Sequence, residues 1–269
     1  MAEFNSSPLL IQSLFQVKMP ARNSDAHKGT FGSVVIIGGA TDMVGAVLLA
    51  ARAVLLCGAG RVYAAMLSKN APSVDISQPE IMLRTPLAMT QLSQLDCVAI
   101  GTGLGQSNTA VELLEYWLAQ NVPLLLDADA LNLIASHLHL ASIVISHKAA
   151  TVITPHADEA ARLLDVSTEY IQQNHTESAL KLAESLNATC VLKGVGTVIA
   201  HHDGAWFVNT TGNVGLASGG TGDVLSGIIG SLIAQGLTSL DAAKLDVYVH
   251  SSAADALVKK GIGPTGMTA

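Results

Sequence analysis

The chain has few cysteines and no pairing pattern among them. Cys57, Cys97 and Cys190 lie far apart inside apolar runs, with no C-x-x-C spacing. That excludes a disulfide framework and predicts reduced, buried thiols of the kind a cytosolic protein carries. Charge is also sparse. Only 13% of the 269 residues are Asp, Glu, Lys or Arg, and the net charge is −7. A nucleic-acid-binding protein would show a basic face, so that class is excluded. An anionic small molecule is not, because a few local donors can dominate a pocket. No apolar run reaches the roughly 18–20 residues of a membrane helix, so no membrane partner is expected. The opening lacks a basic stretch followed by a small-residue cleavage site, and no secretory signal is predicted. No internal repeat or low-complexity linker divides the chain.

What is present is apolar: 49% of the residues are hydrophobic, enough for a sizeable core of buried parallel strands and helices. Strand–turn–helix units recur. Ser33 to Ile37 reads as a strand, closed by Gly38-Gly39-Ala40, and Val44 to Cys57 as an Ala/Leu-rich helix. The glycines do not form G-x-G-x-x-G, and the next strand, Arg61 to Met66, ends in Leu-Ser-Lys without an acid. This excludes a Rossmann dinucleotide site. Further strands are expected at Asp96–Ile100, Val122–Leu126, Thr151–Thr154 and Thr189–Leu192, and a hairpin from Val198–Ala200 and Trp206–Val208 around His202-Asp203-Gly204. Helices are expected through Leu164, over Thr176–Asn187 and over Leu240–Lys260, the last with Tyr248 and His250 as packing residues. Upstream, Leu9 to Phe15 suggests a short helix, and Met19 to Arg22 is extended around Pro20. The organisation expected is an arm over 1–26 and one domain over 27–269.

The densest signal lies between Asn209 and Gly236. Glycines stand at 212, 215, 219, 220 and 222, and apolar residues at 224, 225, 228, 229, 232 and 233 form one helical stripe. A glycine loop thus runs into a buried helix, with Gly227 and Gly230 permitting close packing on a second face. Glycines let backbone N–H groups turn inward, and a helix start adds unpaired donors and a positive dipole end. Gly219, Gly220, Thr221 and Gly222 therefore suit phosphate. Asp223 beside them would repel phosphate. It is either an ordinary first-turn acid or a base that takes a proton from a hydroxyl attacking phosphorus.

Other candidates sit where strands end, which is where ligands bind in a parallel sheet. Gly101-Thr102-Gly103-Leu104-Gly105 follows one strand and could be a tight turn. Asp127-Ala128-Asp129-Ala130-Leu131-Asn132 follows the next, where either aspartate could cap a helix, Asp129 more readily. Pro155-His156-Ala157-Asp158-Glu159 follows the third, with Glu159 suited to the helix dipole. Lys193-Gly194-Val195-Gly196-Thr197 follows the fourth, its lysine placed either for phosphate or for solvent.

In order, H-K-G at 27–29, G-T-G-L-G at 101–105, D-A-D-A-L-N at 127–132, T-P-H-x-x-E at 154–159, K-G-x-x-T at 193–197 and G-G-T-G-D-V-L at 219–225 resemble the ribokinase-like superfamily. With G-N-V-G-L-A-S before the last motif, the chain looks more narrowly like the NAD(P)H-hydrate dehydratases. These repair enzymes use ADP or ATP to remove water from hydrated nicotinamide cofactors. The resemblance spans roughly residues 20–269 and places each motif at a ligand-facing turn. It departs at Thr102, where proline is usual, at Val214, where proline or a small residue is usual, and at a carboxyl end lacking the family's last short helix. The region before His27 is too short for the epimerase domain that some members carry.

The resemblance implies a three-layer α/β/α ribokinase-like sandwich with a mostly parallel central sheet. It implies that Ala46 (beside Gly45), Gly103, Gly105, His156 and Asp223 contact the hydrated dinucleotide. Lys193, Gly194, Val195, Gly196 and Thr197 would hold the adenine nucleotide together with Gly219, Gly220, Thr221 and Gly222. Glu159 would order Mg²⁺ through water, and Asp223 would be the catalytic base. ADP is favoured over ATP as co-substrate, and a cytoplasmic homotetramer is expected. A small-molecule alcohol kinase of the same superfamily and a non-catalytic nucleotide sensor are the rival readings. His156 in place of the kinases' Asn weighs against the first, and a carboxylate beside phosphate against the second.

Overall fold

The computed structural model describes residues 9–10, 19 and 21–269. Among the described residues ten strands form one sheet: β1 (Leu9–Leu10), β2 (Ser33–Gly38), β3 (Arg61–Met66), β4 (Met82–Arg84), β5 (Cys97–Ile100), β6 (Leu124–Leu126), β7 (Thr151–Ile153), β8 (Thr189–Leu192), β9 (Val198–His201) and β10 (Trp206–Asn209). Their order across the sheet is β1-β10-β9-β8-β7-β6-β5-β2-β3-β4. From β8 to β4 every neighbour is parallel, and only the β8–β9–β10 hairpin edge is antiparallel.

Ten α-helices among the described residues cover the faces: α1 (Val44–Leu56), α2 (Pro86–Met89), α3 (Asn108–Leu118), α4 (Asp129–Ser136), α5 (Leu138–Ser146), α6 (Ala157–Leu164), α7 (Thr168–Gln173), α8 (His175–Ser185), α9 (Thr221–Ala234) and α10 (Ser239–Lys259). The strands alternate between two cores, as a period of two requires. Val35 and Ile37 join Leu114, Leu131 and Leu182 on one face, whereas Val34 and Ile36 join Val47, Ile229 and Val247 on the other. β2 is buried on both faces along its whole length. This is why its sequence is a continuous apolar run. The result is the expected α/β/α sandwich with a mostly parallel sheet.

The glycines of α9 do different things. A Cβ on Gly227 would lie 2.2 Å from the Ala50 carbonyl oxygen, so that position lets α9 sit against α1. A Cβ on Gly230 would meet nothing nearer than Val34 Cγ1 at 3.6 Å, an ordinary contact, so close packing does not require that glycine.

Three local expectations are revised. Leu9–Leu10 is a strand paired parallel with β10, not the start of a helix, and Leu10 is fully buried. Residues 11–15 of that expected helix, and Pro20, lie outside the described residues. Cys97 and Cys190 are buried, but Cys57 caps the end of α1 and is only partly covered. The H-K-G turn packs against the Gly60 backbone at the amino end of β3, where a Cβ on Gly60 would overlap the Lys28 carbonyl. With β2 and β3 in register over six residues, that turn is about 20 Å from the strands' carboxyl ends. It therefore does not face a site there.

Candidate active site

The carboxyl edge of a parallel sheet opens a crevice where the strand order reverses. Here the chain runs from β2 outward to β3 and β4, then returns to β5 on the other flank of β2. The loops after β2 and β5 cross at that point. Gly39 N–H donates to Thr102 O at 3.1 Å, and Ala40 N–H to Gly103 O at 2.7 Å. Three expected substrate residues come together here. A Cβ on Gly103 would be 3.5 Å from the Ala46 Cβ, and one on Gly105 would be 3.4 Å from the Ala40 Cβ.

The same loop shows what Asp129 does. Ala128, not Asp129, is the N-cap of α4, and no side-chain cap bond forms there. Asp129 stands one residue later, and its Oδ2 accepts from Gly105 N–H at 2.8 Å. It fixes the crossing loop, a long-range task that local capping preference does not reveal.

The start of α9 is built by side chains. Gly220 is the N-cap with φ 94°, a left-handed conformation that favours glycine. Thr221 Oγ1 donates to Leu216 O at 2.8 Å and Ser218 O at 2.9 Å. Upstream, Asp255 on α10 accepts from Gly212 N–H at 2.8 Å and Asn213 Nδ2 at 3.0 Å, which ties the loop to that helix. The first intrahelical bond is Val224 N–H to Gly220 O at 3.0 Å. The N–H groups of Gly222 and Asp223 precede it and lack intrahelical partners. A Cβ at Gly219 would meet none of the described residues within 4 Å, and the same holds at Gly45. Neither glycine is needed for left-handed backbone or internal packing, so each leaves room for an approaching ligand.

Charge converges beside this helix start. Asp127 is 2% exposed. Its Oδ1 accepts from Lys193 Nζ at 3.0 Å and Ala128 N–H at 2.9 Å, and its Oδ2 from Ser226 Oγ at 2.7 Å. Lys193 Nζ also lies 3.5 Å from where a Gly222 Cβ would be. Burial lowers the Lys193 pKa, but Asp127, Glu159 and Asp223 around it outweigh that and leave it raised. The expectation of a phosphate-facing or solvated lysine becomes more specific. Lys193 is an ammonium held by a buried carboxylate at the edge of the N–H nest. The Asp223 carboxyl is pushed up to about 6, first by burial and then by Asp127, against the pull of Lys193.

His156 is the N-cap of α6 in a capping box. Its Nδ1 accepts from Asp158 N–H at 3.1 Å, while Glu159 Oε2 accepts from His156 N–H at 2.8 Å. Glu159 Oε1 lies 3.2 Å from His156 Nε2, and the Glu159 side chain is 5% exposed. The loop after β8 is supported by His175, whose pKa burial lowers while hydrogen bonds with the Lys193 and Gly196 backbone oppose that. Thr197 Oγ1 donates to Gly194 O at 2.9 Å, and Val195 at the tip is fully exposed. Sequence reading missed Ser226 and His175. Ser226 had a signal, one turn beyond Asp223 on the same helix; His175 had none.

Among the described residues no group of three or more His, Cys, Asp or Glu side chains could hold a metal ion. Magnesium that leans on substrate phosphates keeps several waters and needs only one or two carboxylates. Glu159, buried and with both oxygens already engaged by His156, fits contact through water and not a protein-built cage.

A profile described as NAD(P)H-hydrate dehydratase matches residues 34–269. The chain belongs to the NAD(P)H-hydrate dehydratase family. An ADP-dependent (S)-NAD(P)H-hydrate dehydratase of Neisseria meningitidis is 39% identical over 246 residues, 90% of this chain and 82% of that one. A bifunctional NAD(P)H-hydrate repair enzyme of Coxiella burnetii is 41% identical over 255 residues, 93% of this chain and 51% of that one. The chain thus spans about half the length of that curated relative. A Bacillus subtilis ADP/ATP-dependent NAD(P)H-hydrate dehydratase, co-crystallised with ATP/Mg²⁺, superposes with a TM-score of 0.87 at 30% identity, covering 98% of this chain and 94% of that one.

Membership of this family gives the departures at Thr102 and Val214 a place. Thr102 is buried in the loop crossing, and its hydroxyl has no hydrogen-bond partner among the described residues. Its carbonyl still accepts from Gly39 N–H, so the change from proline leaves the crossing bond intact. Val214 lies within the glycine loop with its side chain exposed, and its carbonyl accepts from Ala217 N–H at 3.1 Å, a backbone bond that does not depend on the side chain.

Proposed function

We propose that this protein uses a nucleotide, ADP in preference to ATP, to dehydrate the S epimer of hydrated NADH or NADPH. The observation that carries the reading is Asp223, a carboxyl raised to about 6 in the first turn of the helix whose start is the N–H nest. Family membership and the ADP-dependent Neisseria relative support the same chemistry.

The nucleotide's terminal phosphate lies on the N–H groups at Gly219–Gly222, with its adenosine part along Lys193–Thr197. The hydrated ring occupies the crossing lined by Ala46, Gly103 and Gly105, within reach of His156. Asp223 takes the proton of the ring hydroxyl as its oxygen bonds to phosphorus and AMP leaves. The phosphate ester then departs with the C–O electrons as the ring nitrogen's lone pair pushes in. Loss of a proton from the adjacent ring carbon restores the dihydronicotinamide. Hydroxide is a poor leaving group and phosphate a good one, which explains a dehydratase on a kinase fold. Glu159 would help order Mg²⁺ through water, and the ion, bound with the nucleotide, would supply charge neutralisation at the phosphates.

Residues 27–269 are proposed as the catalytic domain and 1–26 as its arm, in a cytoplasmic homotetramer implied by the family resemblance. Light scattering on the purified chain tests the assembly. The activity test mixes hydrated NADH, Mg²⁺ and either ADP or ATP and follows the near-ultraviolet band of dihydronicotinamide. A nucleotide-dependent rise is expected, faster with ADP. No rise with either nucleotide, or a stable phosphorylated product, defeats the reading.

A further inference from the structure

The reaction outlined above leaves Asp127 without a task. It is more deeply buried than Asp223, yet three donors from three different places in the chain converge on it. Ala128 N–H comes from its own turn, Lys193 from the end of β8 and Ser226 from α9. The turn that supplies the first donor is strained. Ala128 adopts φ 49° and ψ −115°, a positive-φ conformation that an alanine takes only when its surroundings impose it. Ser226 is itself fully buried and lies three residues after Asp223, one turn along the same helix. The bond from Ser226 to Asp127 therefore fixes the rotation of the turn that carries Asp223 against the edge of the sheet.

We propose that Asp127 is a positioning residue for this reaction. Through Ser226 it aims the turn bearing Asp223, and through Lys193 it holds an ammonium group between that carboxylate and the phosphate nest. The inference rests on the functional reading above. It adds that Lys193 is clasped to the buried Asp127 carboxylate, so Asp223 has two neighbours of opposite charge whose effects on it carry opposite signs. The charged groups facing this cluster are Asp127 on the β6 edge, Glu159 on α6, Lys193 after β8 and Asp223 on α9.

The test begins on the nucleotide-free protein, where turnover plays no part. Carboxyl ¹³C NMR of Asp223, assigned with Asp223→Asn, gives its titration midpoint. Asp127→Asn should move that midpoint down and Lys193→Met should move it up, each by about one pH unit. No movement in either variant, or movement in the same direction in both, overturns the proposal, since a purely structural role predicts no opposed signs. Ser226→Ala should then lower kcat by roughly 10- to 100-fold, with calorimetric ADP affinity within about twofold. Unchanged kcat, or kcat and affinity falling in parallel, also overturns it. If Asp127→Asn does not fold, as judged by its thermal transition, Lys193→Met and Ser226→Ala still decide. Should the wild type fail to dehydrate any hydrate, the functional reading falls, while the signs of the Asp223 shifts are still measured independently.

Discussion

Asp223 carries its charge only above about pH 6, because burial and the nearby Asp127 carboxylate oppose ionisation more than Lys193 favours it. A general base works only when deprotonated. The dehydration rate should therefore be level above that midpoint and fall about tenfold per pH unit below it. Asp223→Asn should lose on the order of 10²–10⁴ in kcat while ADP still binds in calorimetry. Near-normal turnover would remove Asp223 from the role. Gly219 offers a second test at this scale. None of the described residues occupies the space a Cβ would take there, so Gly219→Ala should melt at the wild-type temperature yet bind ADP more weakly. An unchanged affinity would mean that the open space at Gly219 is not where the phosphate approaches.

At the scale of elements, the close seating of α9 on α1 positions the nest. Gly227→Ala would place a methyl 2.2 Å from the Ala50 carbonyl, and backbone cannot yield as a side chain can. We expect a loss of about 1–3 kcal/mol in chemical denaturation, with lower activity because the helix start moves. Gly230→Ala, with its nearest contact at 3.6 Å, should be neutral or slightly stabilising through helix propensity. The sequence showed both glycines and could not tell them apart, because spacing reveals a face and not what lies opposite it. The long elements were legible for a related reason. α1, α9, α10 and the buried strands carry enough periodic or continuous apolar residues to declare themselves. β4, α2, α7 and the Leu9–Leu10 pairing did not, being two to six residues long and settled by tertiary neighbours. The site divided along the same line. Asp223, Lys193 and the glycine turns were visible as residue types at strand and helix ends. The bonds of Asp127 to Ser226 and of Asp129 to Gly105 span 99 and 24 residues, and no local pattern encodes them.

For the whole molecule, the most telling group lies outside the site. Asp246 on α10 is fully buried, and neither carboxyl oxygen has a hydrogen-bond partner among the described residues. Burial raises its pKa well above the ordinary value, and its charge adds to the burial that pushes the Cys57 thiol up to about 11. The consequence for stability has a definite sign. An acid whose folded pKa is raised keeps its proton in the native state after the unfolded chain has released it near pH 3.9. Folding stability therefore falls as pH rises from that value toward the folded pKa, by at most about 1.4 kcal/mol per pH unit from this one group. Asp223 acts in the same direction but only up to about pH 6. Burial lowers the pKa of His175, His201 and His250, and those groups act in the opposite direction around their ordinary pKa. Asp75 and Asp255, whose values are lowered by Arg52 and by the Gly212 amide respectively, contribute stability that is lost only in acid. The quantity that isolates Asp246 is thus the stability of Asp246→Asn minus that of wild type, measured by urea unfolding from pH 5 to pH 8. That difference should grow with pH across the whole range, because Asp223 and the histidines are present in both proteins and cancel. A difference that stays flat would mean that water or a rearranged partner satisfies the Asp246 carboxyl in solution.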